Sequence, residues 1–167
     1  MMKDGVFGPL GSDKYTEYCE DINKSGTYML AFINDVLDMS QIEAGRFELD
    51  KEDFNATDVI NNCIDGKLAD AEKNGITIDS DISQDIHLHA DRRVVKQVIH
   101  NLLTNAIKFN QLGGSVSITA KTQNDNLAIS VSDTGIGIAS DLLKEVCKPF
   151  KQVQNQFTKN HTGSGLG

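Results

Sequence analysis

Between Ser12 and Ala44 the chain contains no proline, and Gly26 is its one glycine. Tyr18, Ile22, Ser25, Met29, Phe32, Val36 and Met39 follow at alternating steps of four and three, the heptad spacing that keeps one stripe of a helix turned toward a partner helix. Leu30, Ile33 and Leu37 widen the stripe toward bundle packing. The pattern predicts a helix of about thirty residues, closed by Gly45. Before it, Gly5, Gly8, Pro9 and Gly11 crowd into a turn.

After Gly45 the period changes. Phe47-Glu48-Leu49 alternates as a short strand, and Thr57 to Lys73 carries Val59, Ile60, Cys63, Leu68 and Ala71 as one face of a helix stopped by Asn74-Gly75. Ile76 to Ile82 and Ile86 to Ala90 alternate at period two, predicting two strands joined by a Ser-Gln-Asp turn. Asp91 can cap a helix that runs to about Asn110, where Gly113-Gly114 stops it. Val116 to Ala120 and Leu127 to Val131 predict a hairpin across Asn124-Asp125, followed by a helix from about Ser140 to Cys147. The order strand, helix, two strands, helix, two strands predicts an α+β fold, a two-layer α/β sandwich with helices on one face of a mixed, mostly antiparallel sheet. The expected division is residues 1–45, the turn and long helix, and residues 46–167, the sandwich.

Composition narrows the function. The 24 acidic residues against 16 basic ones give a net charge of −8, which lacks the basic face that general nucleic-acid binding needs. Cys19, Cys63 and Cys147 are odd in number, far apart and in no C-x-x-C spacing, so neither a disulfide framework nor a zinc site is indicated, and a reducing cytoplasm fits. No stretch approaches the roughly 18 apolar residues that cross a bilayer.

The residues that carry chemistry lie late in the chain. On the helix after Asp91, Val95, Val98, Ile99, Leu102 and Ala106 share a face. Asn101 and Asn105, about 40° from one another, line its edge, and Lys108 continues the stripe. A carboxamide oxygen suits magnesium without adding charge, and an ammonium suits phosphate; a solvated polar flank would look the same. The strand Leu127 to Val131 runs into Asp133-Thr134-Gly135-Ile136-Gly137-Ile138, a carboxylate followed by glycines that let backbone approach a flat ligand. Such a carboxylate can accept a hydrogen bond from adenine's exocyclic amine. A plain turn, or the Asp-Thr-Gly of an aspartic protease dimer, would share those letters. Further on, Lys148-Pro149-Phe150 precedes a polar stretch that reads as a mobile loop anchored by Phe150. Thr162-Gly163-Ser164-Gly165-Leu166-Gly167 exposes backbone N–H groups suited to phosphate, or is a frayed end.

Taken in order, these pieces resemble the ATP-binding catalytic domain of bacterial sensor histidine kinases, within the gyrase, chaperone and mismatch-repair ATPase superfamily. His100 to Phe109 is similar to the N box, Asp133 to Ile138 to the G1 box, Lys148-Pro149-Phe150 to the F box, and Thr162 to Gly167 to the opening of the G2 box. Leu37 to Gly45 resembles the end of the second helix of the family's dimerisation and phosphotransfer hairpin, and the turn Val6 to Gly11 resembles that of alphaproteobacterial cell-cycle kinases of the PleC and PdhS kind. The resemblance implies ATP and Mg2+ as cofactors. It implies that Asn105 binds magnesium, that Asn101 and Lys108 approach the phosphates, that Phe109, Phe150, Gly135, Gly137 and Thr162, Gly163, Ser164, Gly165, Leu166 and Gly167 help bind ATP, and that Asp133 holds adenine. Hydrolytic members of the superfamily place a glutamate where this chain has Asn101, a far weaker base, which favours phosphoryl transfer to a side chain over hydrolysis.

No histidine stands in the family's Ser-His-Glu-Leu-Arg-Thr-Pro-like H box. His87, His89, His100 and His161 lack that context, so no catalytic residue is assigned. The resemblance thus implies a chain beginning in the hairpin turn and ending within the G2 box, unable to autophosphorylate alone, cytoplasmic whether or not its parent is membrane-anchored. The implied partners are a second copy, through the hairpin, and the receiver domain of a response regulator. The rival reading is a non-catalytic nucleotide-binding or dimerisation module on the same fold.

Overall fold

The computed structural model describes residues 6, 8, 10–82, 85–123, 126–144 and 146. The chain divides into two compact units between Phe47 and Glu48. The first is built on α1 (Asp13–Glu43), which buries none of its residues. Tyr18, Ile22, Met29 and Phe32 of the heptad stripe are all exposed, Ile22 at 71%. Gly45, at φ 65°, ends the helix. Its N–H donates to the Ile42 carbonyl and that of Arg46 to the Gln41 carbonyl, the paired bonds that satisfy a helix's last carbonyls when a left-handed residue follows.

The second unit contains β1 (Glu52–Asn55), α2 (Ala56–Lys73), β2 (Thr77–Ile82), β3 (His87–Ala90), α3 (Arg92–Lys108), β4 (Ser115–Gln123) and β5 (Asn126–Asp133). β1 pairs antiparallel with β3, while β2, β4 and β5 form a separate sheet in that order, parallel between β2 and β4 and antiparallel between β4 and β5. The mixed, mainly antiparallel pairing agrees with expectation; three local details differ. Phe47-Glu48-Leu49 is irregular, and the strand lies at Glu52-Asp53-Phe54-Asn55, held there by pairing with His87 to Ala90 rather than by its own alternation. The strands on either side of Ser83 do not pair with one another, because each finds its partner elsewhere in the chain. Residues 140–144 and 146 form turns rather than a helix.

Helix starts follow their caps. The Asn55 side chain accepts hydrogen bonds from the N–H groups of Thr57 at 2.9 Å and Asp58 at 3.4 Å, and Asp91 accepts from Arg93 at 3.0 Å and Val94 at 3.1 Å. At the other end of α2, Gly75 (φ 65°) repeats the Gly45 pattern, with Ile76 N–H on the Ala71 carbonyl. Ala56, Val59, Ile60, Cys63, Ile64 and Ala71 of α2 and Ile99, Leu103, Ala106 and Ile107 of α3 are buried together with Val116, Ile118 and Ala120 of β4. Two helices thus share one core with the central strand. The buried stripe of α3 is turned toward Leu103 and Ile107, so Val98 and Leu102, expected inside, are exposed, as is Leu68 of α2.

Candidate functional site

α3 supplies one wall of the site. Its start is fixed by Asp91, nearly fully buried, whose carboxylate also accepts the Asp50 N–H at 3.2 Å and lies 3.6 Å from the Arg93 guanidinium. The Val94 N–H above all, then those contacts, hold Asp91 below the ordinary carboxylate pKa against the opposing effect of burial. Further along α3, Asn101 is half-buried and Asn105 exposed. Asn101 hydrogen-bonds His100, while burial, then Lys67 and Lys96, lower the His100 pKa and favour the neutral imidazole. Burial also lowers the pKa of Lys108, whose ammonium rests 5.0 Å from the centroid of the Phe109 ring, in cation–π range.

The other wall is the turn after β5. Asp133 closes it, its Oδ1 accepting the Gly135 N–H at 2.9 Å. The turn meets the end of α3 directly: Ile136 N–H donates to the Phe109 carbonyl at 3.1 Å. Gly135 sits so close to that strand of backbone that an added Cβ would collide with the Phe109 carbonyl oxygen and lie 2.7 Å from Asp133 Oδ1. Gly137 instead has φ 65°, with none of the described residues where a Cβ would project, so its requirement is conformational. Phe109, Asp133 and Gly135 are therefore at one corner, and the Phe109 N–H, bonded to the Asn105 carbonyl at 2.9 Å, carries Asn105 and Lys108 to the same end of α3. Asn101 lies one turn back. Phe150 and Thr162 to Gly167 are outside the described residues.

Sequence reasoning overlooked the polar joint behind this corner. Asn110 Nδ2 donates to the Ser115 carbonyl at 3.0 Å, and its Oδ1 accepts from Thr134 Oγ1 at 3.2 Å. Ser115 N–H donates to Thr134 Oγ1 at 2.9 Å, and Gln111 Nε2 donates to the Thr134 carbonyl at 3.3 Å. A polar Asn-Gln pair just past a helix, and a threonine inside an otherwise glycine-rich turn, were the available signals.

The donors at the corner suit a nucleotide. Asp133 and the Asn105 carboxamide offer one anionic and one neutral acceptor for a ligand's amine and metal. Among the described residues no group of three or more His, Cys, Asp or Glu could hold a metal by itself. A magnesium ion here would therefore arrive on phosphates and keep waters, with a single protein oxygen, a donor set this ion tolerates. A shallow groove of about 580 Å3 at the opposite end of α3 is lined by Glu52, Val59, Asn62, Arg92, Arg93 and Lys96; none of the sequence-predicted site residues borders it.

Residues 90–167, which span both walls, match the family described as histidine kinase-, DNA gyrase B- and HSP90-like ATPase. Those residues form a domain of this family. A Caulobacter vibrioides relative, the non-motile and phage-resistance protein, is 45% identical over all of this chain and 20% of its own length. The cell-division control histidine kinase PdhS of Brucella canis is 38% identical over all of this chain and 17% of its own length. Among solved structures, full-length ShkA in complex with AMPPNP matches with a TM-score of 0.77 at 25% identity, over 99% of this chain and 35% of its own. The chain thus spans about a fifth of the length of these curated relatives, and its residues 90–167 form an ATPase domain of the matched family. The Asp-Thr-Gly turn belongs to a unit with helices of 18 and 17 residues, not the β-rich pattern of an aspartic protease, so the protease reading of those letters falls away. Among the described residues, no helix is long and apolar enough to cross a membrane.

Proposed function

We propose that this ATP-binding domain holds Mg-ATP at the corner between α3 and the Asp133 turn, within a parent kinase that phosphorylates a histidine and then an aspartate of a response-regulator receiver domain. Asp133 accepts the adenine amine, and Gly135 and Gly137 let the turn lie against the base. Asn105 is the one protein ligand to magnesium, while Asn101 and Lys108 face the phosphates and Phe109 supports the Lys108 ammonium. The bound magnesium would neutralise phosphate charge during transfer. The protein's share is positioning and electrostatics, because Asn101 offers no base strong enough to activate water. Two independent supports for the partner are the kinase named among the relatives and ThkA, a solved structure of like fold that is in complex with the response regulator TrrA. The exposed heptad stripe of α1 would meet a helix of the family's hairpin and, through it, a second copy.

The observation that carries this reading is the Ile136-to-Phe109 hydrogen bond, which closes the acidic turn onto the helix end bearing Asn105 and Lys108. Titration with a fluorescent ATP analogue, with and without magnesium, tests it. Asp133→Asn is expected to weaken binding in both conditions, and Asn105→Ala to remove the gain that magnesium confers. Binding by both variants indistinguishable from the unmodified chain would reject the site.

A further inference from the structure

We propose that Asn110 is a positioning residue for nucleotide binding, its carboxamide setting the distance between the phosphate-facing end of α3 and the Asp133 turn. The inference rests on the nucleotide reading above and deepens it, since Asn110 lies one residue past the motif and its side-chain bonds run to Ser115, Gln111 and Thr134.

Its geometry is that of a clamp. Asn110 Oδ1 accepts the Gln111 N–H at 3.0 Å as well as the Thr134 hydroxyl at 3.2 Å, which fills both lone-pair directions of an amide oxygen. Its Nδ2 holds the Ser115 carbonyl at 3.0 Å. That carbonyl also accepts the Thr134 N–H at 3.1 Å, while the Ser115 N–H ends on Thr134 Oγ1 at 2.9 Å. One side chain therefore binds the first residue of β4 and the residue after Asp133 to the end of α3. The side chain lies tightly over Gly114, where a Cβ would collide with Oδ1, so glycine there is a condition of the clamp. Asn110 is half-buried, and its amide has donors and acceptors arranged oppositely at its two ends, so neither a hydroxyl nor a carboxylate can reproduce all of its bonds.

A ligand that touches both walls feels their separation; one that touches a single wall does not. ATP spans the adenine-holding Asp133 turn and the α3 end, whereas adenosine reaches only the former. Misplacement of binding groups by about 1 Å can cost orders of magnitude in a site that depends on alignment.

The test uses the 167-residue chain as the unmodified protein and as N110A, N110D, T134V and N110A/T134V. A non-hydrolysable ATP analogue is titrated calorimetrically, and adenosine by NMR so that millimolar binding is read. N110A is expected to weaken the ATP analogue about tenfold or more while leaving adenosine within about twofold. N110D, which keeps the acceptor to Thr134 but sets a carboxylate oxygen against the Ser115 carbonyl, should lie between. T134V deletes one hydroxyl from the same clamp, so the double variant should lose little more than N110A alone. Should N110A fail to fold, T134V must show the same split between the two ligands. Equal weakening of both ligands, unchanged ATP binding, or additive losses would overturn the positioning role. An unmodified chain that binds neither ligand would overturn the nucleotide reading with it, which separates the two failures.

Discussion

Gly135→Ala is the sharpest single test of how the two walls are joined. The new methyl would meet the Phe109 carbonyl oxygen well inside van der Waals contact and Asp133 Oδ1 at 2.7 Å. The first obstacle is backbone at the end of α3, which cannot swing aside as a flexible side chain does. The turn must retreat, and two bonds are then stretched: Ile136 N–H to the Phe109 carbonyl, 3.1 Å, and Gly135 N–H to Asp133 Oδ1, 2.9 Å. At about 1 kcal/mol net for each, the loss is about 2 kcal/mol. For a unit of this size that corresponds to a fall in melting temperature of about 8 °C. Nucleotide affinity should fall further than stability, by about a hundredfold, because the acidic acceptor moves away from the α3 end. Thermal melting by circular dichroism and titration with the ATP analogue read the two quantities separately. Gly137→Ala is the built-in comparison: among the described residues nothing lies where its methyl would go, so the positive-φ strain of about 1 kcal/mol remains. Equal effects of the two substitutions, or a Gly135→Ala protein with unaltered melting and affinity, would refute the close-approach explanation.

Two further outcomes follow from the same structure. Asn55→Ala removes the α2 cap and should cost about 1 kcal/mol in urea unfolding without altering ATP-analogue affinity, since α2 contributes nothing to the corner. His100 has a pKa lowered from 6.5 chiefly by burial, so the unfolded chain takes up its proton first on acidification. Its contribution is constant above pH 6.5 and declines as pH falls below that value until the folded pKa is passed. His100→Gln should therefore flatten the drop in urea midpoint between pH 7.5 and 5.5, and an unchanged slope would exclude this histidine as its source.

Local rules made much of this molecule legible. The 3.6-residue period located α2 and α3, Asp91 announced its cap, and Gly45 and Gly75 marked left-handed helix ends. The alternation of Val116 to Ala120 and Leu127 to Val131 identified the hairpin. What escaped depends on distant partners. Glu52-Asp53-Phe54-Asn55 has a single apolar side chain and is a strand because His87 to Ala90 lies beside it. The parallel pairing of Thr77 with Ser115 spans the whole of α3, and no nearby residue encodes it. The exposure of Val98 and Leu102 reflects a small rotation of α3 about its axis, which only the packing of α2 and β4 decides. At the site, Asn105, Lys108 and Asp133 were found as chemistry, each on its own element. Their convergence was not readable, because Asn110, Thr134 and Ser115 acquire meaning only when three elements end at one place.

β4 is the middle strand of its sheet, hydrogen-bonded to β2 on one side and β5 on the other, with Val116, Ile118 and Ala120 fully enclosed. A strand secured along both edges opens only when the whole unit does, so its amides belong to the last segment to yield in subglobal fluctuations. Ser115 is the first residue of that segment. The joint beneath the Asp133 turn is thus moored to the slowest-opening part of the protein, which lets nearby loops breathe while the spacing on which ligand alignment depends persists.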